Sequence, residues 1–271
     1  MPVSTSIPIQ RLSQSEFGSL SYGVMEHVFA IHKEFGPFCD EKIYKRELAQ
    51  RMAGVSLEVA VDVTFRSFAK RYFLDVVVGA GGVFEFKCVD DLHPRHRAQL
   101  LHYLLLLDLG HAKLINMRTG EVQHEFVNAA LSTEERRQFQ VNTSAWQAGS
   151  EGAGLFEQHL ISLLREFGTG LDLHFYEDAL THFLGGEIGV LQEVPVHSSD
   201  ESVLGTQRMR LATPASAFKL TAFKDEQPNF ADHCRRLLNH TPLITILWAN
   251  IARRQVTFTS ILKTGKVQTE I

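Results

Sequence analysis

KRYFLDVVVGAGGVFEFKCV, residues 70–89, is the stretch that decides the fold. Two apolar runs flank Gly79, Ala80, Gly81 and Gly82, residues that tolerate positive φ, so the stretch predicts a β-hairpin. In the second run Val83, Phe84, Phe86, Cys88 and Val89 are apolar, and Glu85 and Lys87 interrupt them. Side chains two apart on a strand share a face, which puts Glu85 beside Lys87 and sends Phe84 and Phe86 to the other side. With Gly79, Ala80 and Gly81 as the loop, Val78 pairs with Gly82. Asp75 then lies directly opposite Glu85, their Cβ atoms about 5 Å apart. Two carboxylates that close repel one another unless a cation sits between them. A hard divalent ion held by carboxylates and water suits that geometry. The plainer reading of an isolated Glu-x-Lys is a half-solvated ion pair on a strand face. Asp75, in the adjacent apolar strand, sets this one apart.

Working outward, VSLEVAVDVTF (55–65) alternates with period two and predicts a third strand. Upstream, SYGVMEHVFAIHKEFG (21–36) has helical spacing at Val24, Met25, Val28, Phe29 and Ile31. DEKIYKRELAQRMAG (40–54) reads as a second helix stopped at Gly54. Downstream, HRAQLLHYLLLLDLG (96–110) reads as a buried helix, HAKLINM and VQHEFV as strands around RTGE, and STEE (132–135) as a capping box. The order helix, helix, three strands, helix, two strands predicts a mixed α/β domain. Residues 143–154, small and polar, read as a linker.

The second half repeats the first. EFGPFCDEKIYKREL (34–48) aligns with EFGTGLDLHFYEDAL (166–180), matching Glu34, Phe35, Gly36, Asp40, Tyr44 and Leu48 to Glu166, Phe167, Gly168, Asp172, Tyr176 and Leu180. The offset then grows from 132 to 134, where Phe84, Asn116 and Val122 fall on Phe218, Asn250 and Val256. Ordered matches at nearly constant offset predict a tandem duplication, two similar domains packed as an internal pseudo-dimer. The expected domains are 15–130, a helix and linker over 131–154, and a second copy over 155–262.

The net charge of −4 is spread over both halves, so a nucleic-acid partner would need a local positive patch rather than a global field. Cys39, Cys88 and Cys234 have no metal-site or disulfide spacing and suit a reducing cytosol. The first residues carry no charged segment followed by an apolar core, which points away from a secretory leader. The apolar runs are too short to span a bilayer, so no membrane partner is expected. The expected location is cytoplasmic.

Asp75 in FLDVVV, followed by Glu85 and Lys87 in FEFK on a hairpin flanked by helices, resembles the PD-(D/E)XK nuclease superfamily. More narrowly, residues 20–128 resemble its GxxExxY branch, through Glu41 and Tyr44 in CDEKIY, Gln99 in RAQLLHYL and Asn116 in AKLINM. Phe38 stands where that motif has its first glycine, whereas the second copy keeps Gly170. The resemblance implies a fold class of α/β with two tandem restriction-endonuclease-like domains, each a mixed sheet flanked by helices. It implies a Mg²⁺-dependent nuclease (or Mn²⁺, one or two ions) hydrolysing phosphodiester bonds of nucleic acid, DNA favoured over RNA. Asp75 and Glu85 would be the principal metal ligands, completed by Glu41. Lys87 would place or activate the attacking water and offset phosphate charge, and Gln99 would orient Lys87 or the water. Tyr44, His93, Arg95 and Arg97 are candidate substrate contacts. Plainer readings stand beside these: Glu41 as a solvated helix residue, Tyr44 as a packing residue with a tethered hydroxyl, Gln99 as the cap of a buried polar gap.

In the second copy the alignment replaces Glu41 by Leu173 and brings Met209, Lys219, Thr221 and His233 near the places of Asp75, Glu85, Lys87 and Gln99. RMRLATPASAFKLTAFK (208–224) contains no acidic residue, so this copy is expected to be catalytically silent. Arg208, Arg210, Lys219 and Lys224 read either as phosphate contacts or as a solvated strand face. A monomer is expected because the duplication supplies the place of a second subunit. The alternative function is a non-enzymatic nucleic-acid-binding or scaffolding protein on an inherited nuclease fold.

Overall fold

A computed structural model describes residues 2–150, 152–224 and 227–263. The chain divides into two compact units, Met1–Glu135 and Arg136–Ile271. Among the described residues each unit contains one mixed six-stranded sheet.

In the first unit, α1 (Gln14–Phe35) starts at a capping box in which the Ser13 and Glu16 side chains satisfy each other's backbone N–H. Its Phe17, Val24, Met25, Val28 and Ile31 recur at helical spacing and are buried. Helix α2 (Glu41–Arg51) follows after a short loop. The sheet contains β1 (Val3–Thr5), β2 (Val55–Phe65), β3 (Phe68–Val78), β4 (Gly82–Lys87), β5 (His111–Asn116) and β6 (Gln123–Asn128), in that order across it. All neighbours are antiparallel except β4 and β5. That parallel pair needs a crossover, supplied by α3 (Pro94–Leu106), whose Pro94 stands in the first turn where a missing N–H does no harm.

The α1 and α2 side chains pack on Val76, Val78, Phe84, Phe86, Ile115 and Met117. Burying each such side chain contributes roughly 1.5–3 kcal/mol. The hairpin has the expected register, with Val78 opposite Gly82 and Gly79 at φ 60°. Gly81 is glycine because the N-terminal segment crosses it. The Gln10 N–H donates to the Ala80 carbonyl at 2.7 Å, and a Cβ on Gly81 would lie 1.9 Å from the Gln10 carbonyl oxygen. The STEE capping box is present, with Ser132 and Glu135 exchanging hydrogen bonds at the start of α4 (Thr133–Arg137).

In the second unit the elements are β7 (Gln140–Ala145), α5 (Ala153–Phe167), α6 (Leu173–Phe183), α7 (Gly186–Val190), β8 (Leu191–His197), β9 (Val203–Thr213), β10 (Ser216–Thr221), α8 (Gln227–Asn239), β11 (Thr245–Ile251) and β12 (Gln255–Leu262). The sheet order is β7-β12-β11-β10-β9-β8. Strands β10 and β11 are parallel, as are β12 and β7, and the remaining pairs are antiparallel. The reading of 143–154 as linker is corrected here: residues 140–145 form the edge strand β7. Nearly all of β7 is exposed, so its sequence shows no alternation. It is held by backbone pairing to β12 and by Trp146, which packs on Phe156 and Phe258.

Candidate active site

The hairpin register brings Asp75 to the position facing Glu85, one step beyond the last paired residues, Val76 and Phe84. Asp75 takes the ladder's place there, its Oδ2 accepting the Phe86 N–H at 2.9 Å. Glu85 and Lys87 share a face of β4 and are joined at 2.5 Å, Lys87 Nζ to Glu85 Oε1. Phe84 and Phe86 sit in the core on the opposite face. Glu41, at the first turn of α2, reaches the same place through Lys45, whose Nζ is 3.1 Å from Glu41 Oε1 and 2.9 Å from Asp75 Oδ1. Four sequence-predicted residues, Glu41, Asp75, Glu85 and Lys87, therefore converge from α2, β3 and β4.

Two further members escaped the sequence reading. Lys45 is buried, and its ammonium group also lies 2.5 Å from Glu58 Oε1. Glu58 sits in the middle of β2 at φ 50°, a left-handed conformation that costs a non-glycine residue about 1 kcal/mol or more. Its place in the register faces Asp75, and the pairing skips both residues. The spacing of Glu41 and Lys45, one helical turn, was the available signal for the lysine. An acid within an otherwise apolar-alternating strand was the weaker signal for Glu58.

Electrostatics follow from this crowding. Burial, then the neighbouring Asp75, pushes the Glu85 carboxyl up to about 7, and Lys87 only partly offsets them. Burial and Asp75 likewise raise Glu41, against the pull of Lys45. Burial alone would lower both amines. For Lys45, its contacts with Glu58, Asp75 and Glu41 outweigh that penalty and raise it. For Lys87, the charges of Glu85, Asp75 and Glu41 do the same. Glu85 is 1 % exposed and its Oε2 has no hydrogen-bond partner among the described residues. Buried polar atoms are rarely left unpaired, because desolvation then goes uncompensated.

Gln99 lies on α3, where its amide donates to the Tyr103 hydroxyl at 3.1 Å, so its hydrogen bond goes to Tyr103 and not to Lys87. Tyr103 itself feels the charges of Glu85, Asp75 and Lys87, which puts the Gln99–Tyr103 pair at the border of the cluster. A cleft of about 550 Å³ is lined by Cys88, Asp90, Asp91, His93, Arg95 and Arg118. It adjoins the cluster: the Cys88 thiol is pushed up to about 11 by burial and by Glu41. His93 and Arg95 are exposed there, and Arg118 joins them from beyond β5. Arg97 is instead ion-paired with Glu125 on β6 at 2.5 Å.

Tyr44 requires a correction. Its ring is fully buried, and its hydroxyl donates to the Gly36 carbonyl at 2.6 Å while accepting the Cys39 N–H at 3.0 Å. It pins the α1–α2 loop and cannot touch substrate. In the second unit Tyr176 does the same for the Gly168 carbonyl after α5.

The second unit holds different chemistry. Glu177 pairs with Arg210 at 3.1 Å, and Asp178 adds a longer contact at 3.7 Å. Thr221 accepts from Trp248 Nε1 and donates to Asn250 Oδ1, both at 2.8 Å. Asn250 also pairs with both backbone polar groups of Phe223, as Asn116 does with those of Val89.

Oxygen donors of Asp75, Glu85 and Glu41 are of the type Mg²⁺ prefers, and the unpartnered Glu85 Oε2 beside them fits a hard cation. As the side chains stand, Lys45 holds the carboxylates, and no group of three or more His, Cys, Asp or Glu among the described residues is disposed to coordinate a metal. No helix among them is long and apolar enough to cross a membrane. No curated protein and no solved structure matches the chain. Residues 18–129, which run from α1 to the residue after β6 and include every member of the acid-and-amine cluster, match the family model of the PD-(D/E)XK nuclease superfamily.

Proposed function

We propose that the first unit is a divalent-metal-dependent nuclease of the GxxExxY type, acting on phosphodiester bonds of nucleic acid, with DNA favoured over RNA. The observation that carries this reading is Glu85, a nearly inaccessible carboxylate with an unpartnered oxygen, raised by burial and then by Asp75, and tied to Lys87. Glu85, Asp75 and Glu41 would hold one or two Mg²⁺ or Mn²⁺ ions. When bound, such an ion neutralises phosphate charge and acidifies water.

The chain's own residues do the rest. Lys87 is protonated at neutral pH because acidic neighbours raise it, so it stabilises charge developing on phosphate oxygens rather than removing a proton. Glu85 fixes the position of that ammonium group. Arg95 and Arg118, with His93 beside them, offer donors to the phosphate backbone in a cleft that also carries Asp90 and Asp91. Gln99 acts through Tyr103 as a positioning residue.

The second unit is read as a degenerate copy of the first. Supporting this, β8-β9-β10-β11-β12 repeat the order and sense of β2-β3-β4-β5-β6, and the Tyr–Gly tether and the Asn clamp recur. Its Glu177–Arg210 pair and Thr221–Trp248 bond fill the place of the acid cluster, which makes it catalytically silent. Three free thiols suit a reducing, cytoplasmic setting.

A second reading, a nucleic-acid-binding protein without catalysis, is favoured by one observation: Lys45 already occupies oxygens of Glu41, Glu58 and Asp75. Single-stranded, duplex and branched DNA, and RNA, incubated with MgCl₂ separate the two. The nuclease reading expects cleavage that Asp75→Asn, Glu85→Gln and Lys87→Ala each reduce about 10²–10³-fold, on the scale of removing a charge-stabilising group. Binding without cleavage, the same in all four proteins, would establish the second.

A further inference from the structure

Lys45 is an amine where a metal site would have a metal. Its three donors face Glu41 Oε1, Glu58 Oε1 and Asp75 Oδ1, from three different elements. The other Asp75 oxygen accepts the Phe86 N–H, so both Asp75 oxygens are engaged. With all four carboxyls ionised, Glu41, Glu58, Asp75 and Glu85 facing Lys45 and Lys87 would leave two negative charges uncompensated. Glu85 Oε2 is a buried oxygen of this cluster with no hydrogen-bond partner among the described residues. A divalent ion drawn to Glu85 and Asp75 would neutralise that excess, but it must take Asp75 Oδ1 from the ammonium group. Glu58, the carboxylate of this set nearest solvent, lets Lys45 keep a partner when it lets go.

We propose that Lys45 is an internal counter-ion: it holds the acidic groups of α2, β2 and β3 together in the metal-free protein and sets the divalent-cation affinity by competing for Asp75. This rests on the metal-dependent reading above. A buried lysine among three carboxylates keeps the site assembled without a metal, whose absence would otherwise leave like charges to repel one another. The same contacts make metal entry an exchange of one cation for another.

The test is calorimetric titration of MgCl₂ into the full chain, with thermal unfolding followed in parallel. Lys45→Met is expected to bind Mg²⁺ at least tenfold more tightly than the parent, to melt lower without metal, and to show a larger upward shift on adding it. Lys45→Gln should behave the same way with a polar side chain that keeps a donor, and Lys45→Arg should stay within about threefold of the parent, since charge is preserved. Equal or weaker Mg²⁺ binding by folded Lys45→Met or Lys45→Gln overturns the proposal while leaving the metal reading intact. No Mg²⁺ binding by the parent or by either neutral variant overturns both. In the parent itself, the ¹⁵N resonance of the Lys45 ammonium should shift on saturation with Mg²⁺. A resonance that stays put while calorimetry reports binding overturns the proposal even if neither neutral variant folds.

Discussion

Glu85 carries the largest electrostatic tension of any residue on the β3–β4 hairpin. Its carboxyl, ordinarily near 4.5, is pushed up to about 7 by burial and by Asp75. A raised carboxyl pKa means that ionising Glu85 is harder in the folded than in the unfolded chain, so folding loses stability as pH rises from about 4.5 to about 7 and regains it as pH falls. The full swing is on the order of 3 kcal/mol. Urea denaturation of metal-free protein should therefore find the parent gaining stability relative to Glu85→Gln between pH 8 and pH 5. A flat difference across that range would refute the assignment. Tyr44 is a residue of another kind, its hydroxyl tied to the loop between α1 and α2. Tyr44→Phe leaves the Gly36 carbonyl and the Cys39 N–H without their partner and should cost about 1–2 kcal/mol of unfolding free energy, read from urea denaturation. Mg²⁺ affinity measured on the same protein should not move.

Elements matter here through where they put ends and kinks. Helix α2 begins at Glu41 and places Lys45 one turn on, β2 carries Glu58 at a positive φ, and β3 and β4 meet with Asp75 facing Glu85. None of the four elements could assemble the cluster alone. The hairpin's position is fixed by the N-terminal segment, which lies on it so closely that Gly81 has no room for a Cβ. Gly81→Ala should destabilise the first unit by about 1–3 kcal/mol, because the clash is with backbone that cannot rotate away. The Gln10 amide, bonded to Ala80, should lose hydrogen-exchange protection in that variant. An unchanged Gln10 amide would mean that the segment is held by other contacts.

At the scale of the whole molecule, one unit carries an acid cluster and the other carries an ion pair, Glu177 with Arg210, and a neutral hydrogen-bond network around Thr221. Asp75→Asn alone should accordingly abolish saturable Mg²⁺ binding by the full chain. Residual binding of comparable affinity would point to a site in the second unit. The chain's net charge of −4 also limits how nucleic acid can be held. With few cationic side chains around the cleft, the slope of log affinity against log salt should be shallow, about −2 to −4. A slope near −8 would require a much larger basic surface than the cleft provides.

The alternation of β2, the hairpin glycines, the helical spacing of α1 and the Glu85-x-Lys87 pair are local patterns, and local patterns survive in a sequence. They determined the order of the elements, the hairpin register and the convergence of Asp75 with Glu85. Strand β7 left no such trace, because a strand exposed on both faces has no reason to alternate. Lys45 and Glu58 were hidden for a different reason. Their meaning lies in contacts across 13 and 30 residues, Lys45 to Glu58 and Lys45 to Asp75, and only the packing of α2 against the sheet brings those groups within hydrogen-bond distance. The sequence alone determined that Asp75 meets Glu85, and the tertiary structure added Glu58 and decided which cation meets the acids first, since an ion pair between distant segments exists only once the chain has closed around it.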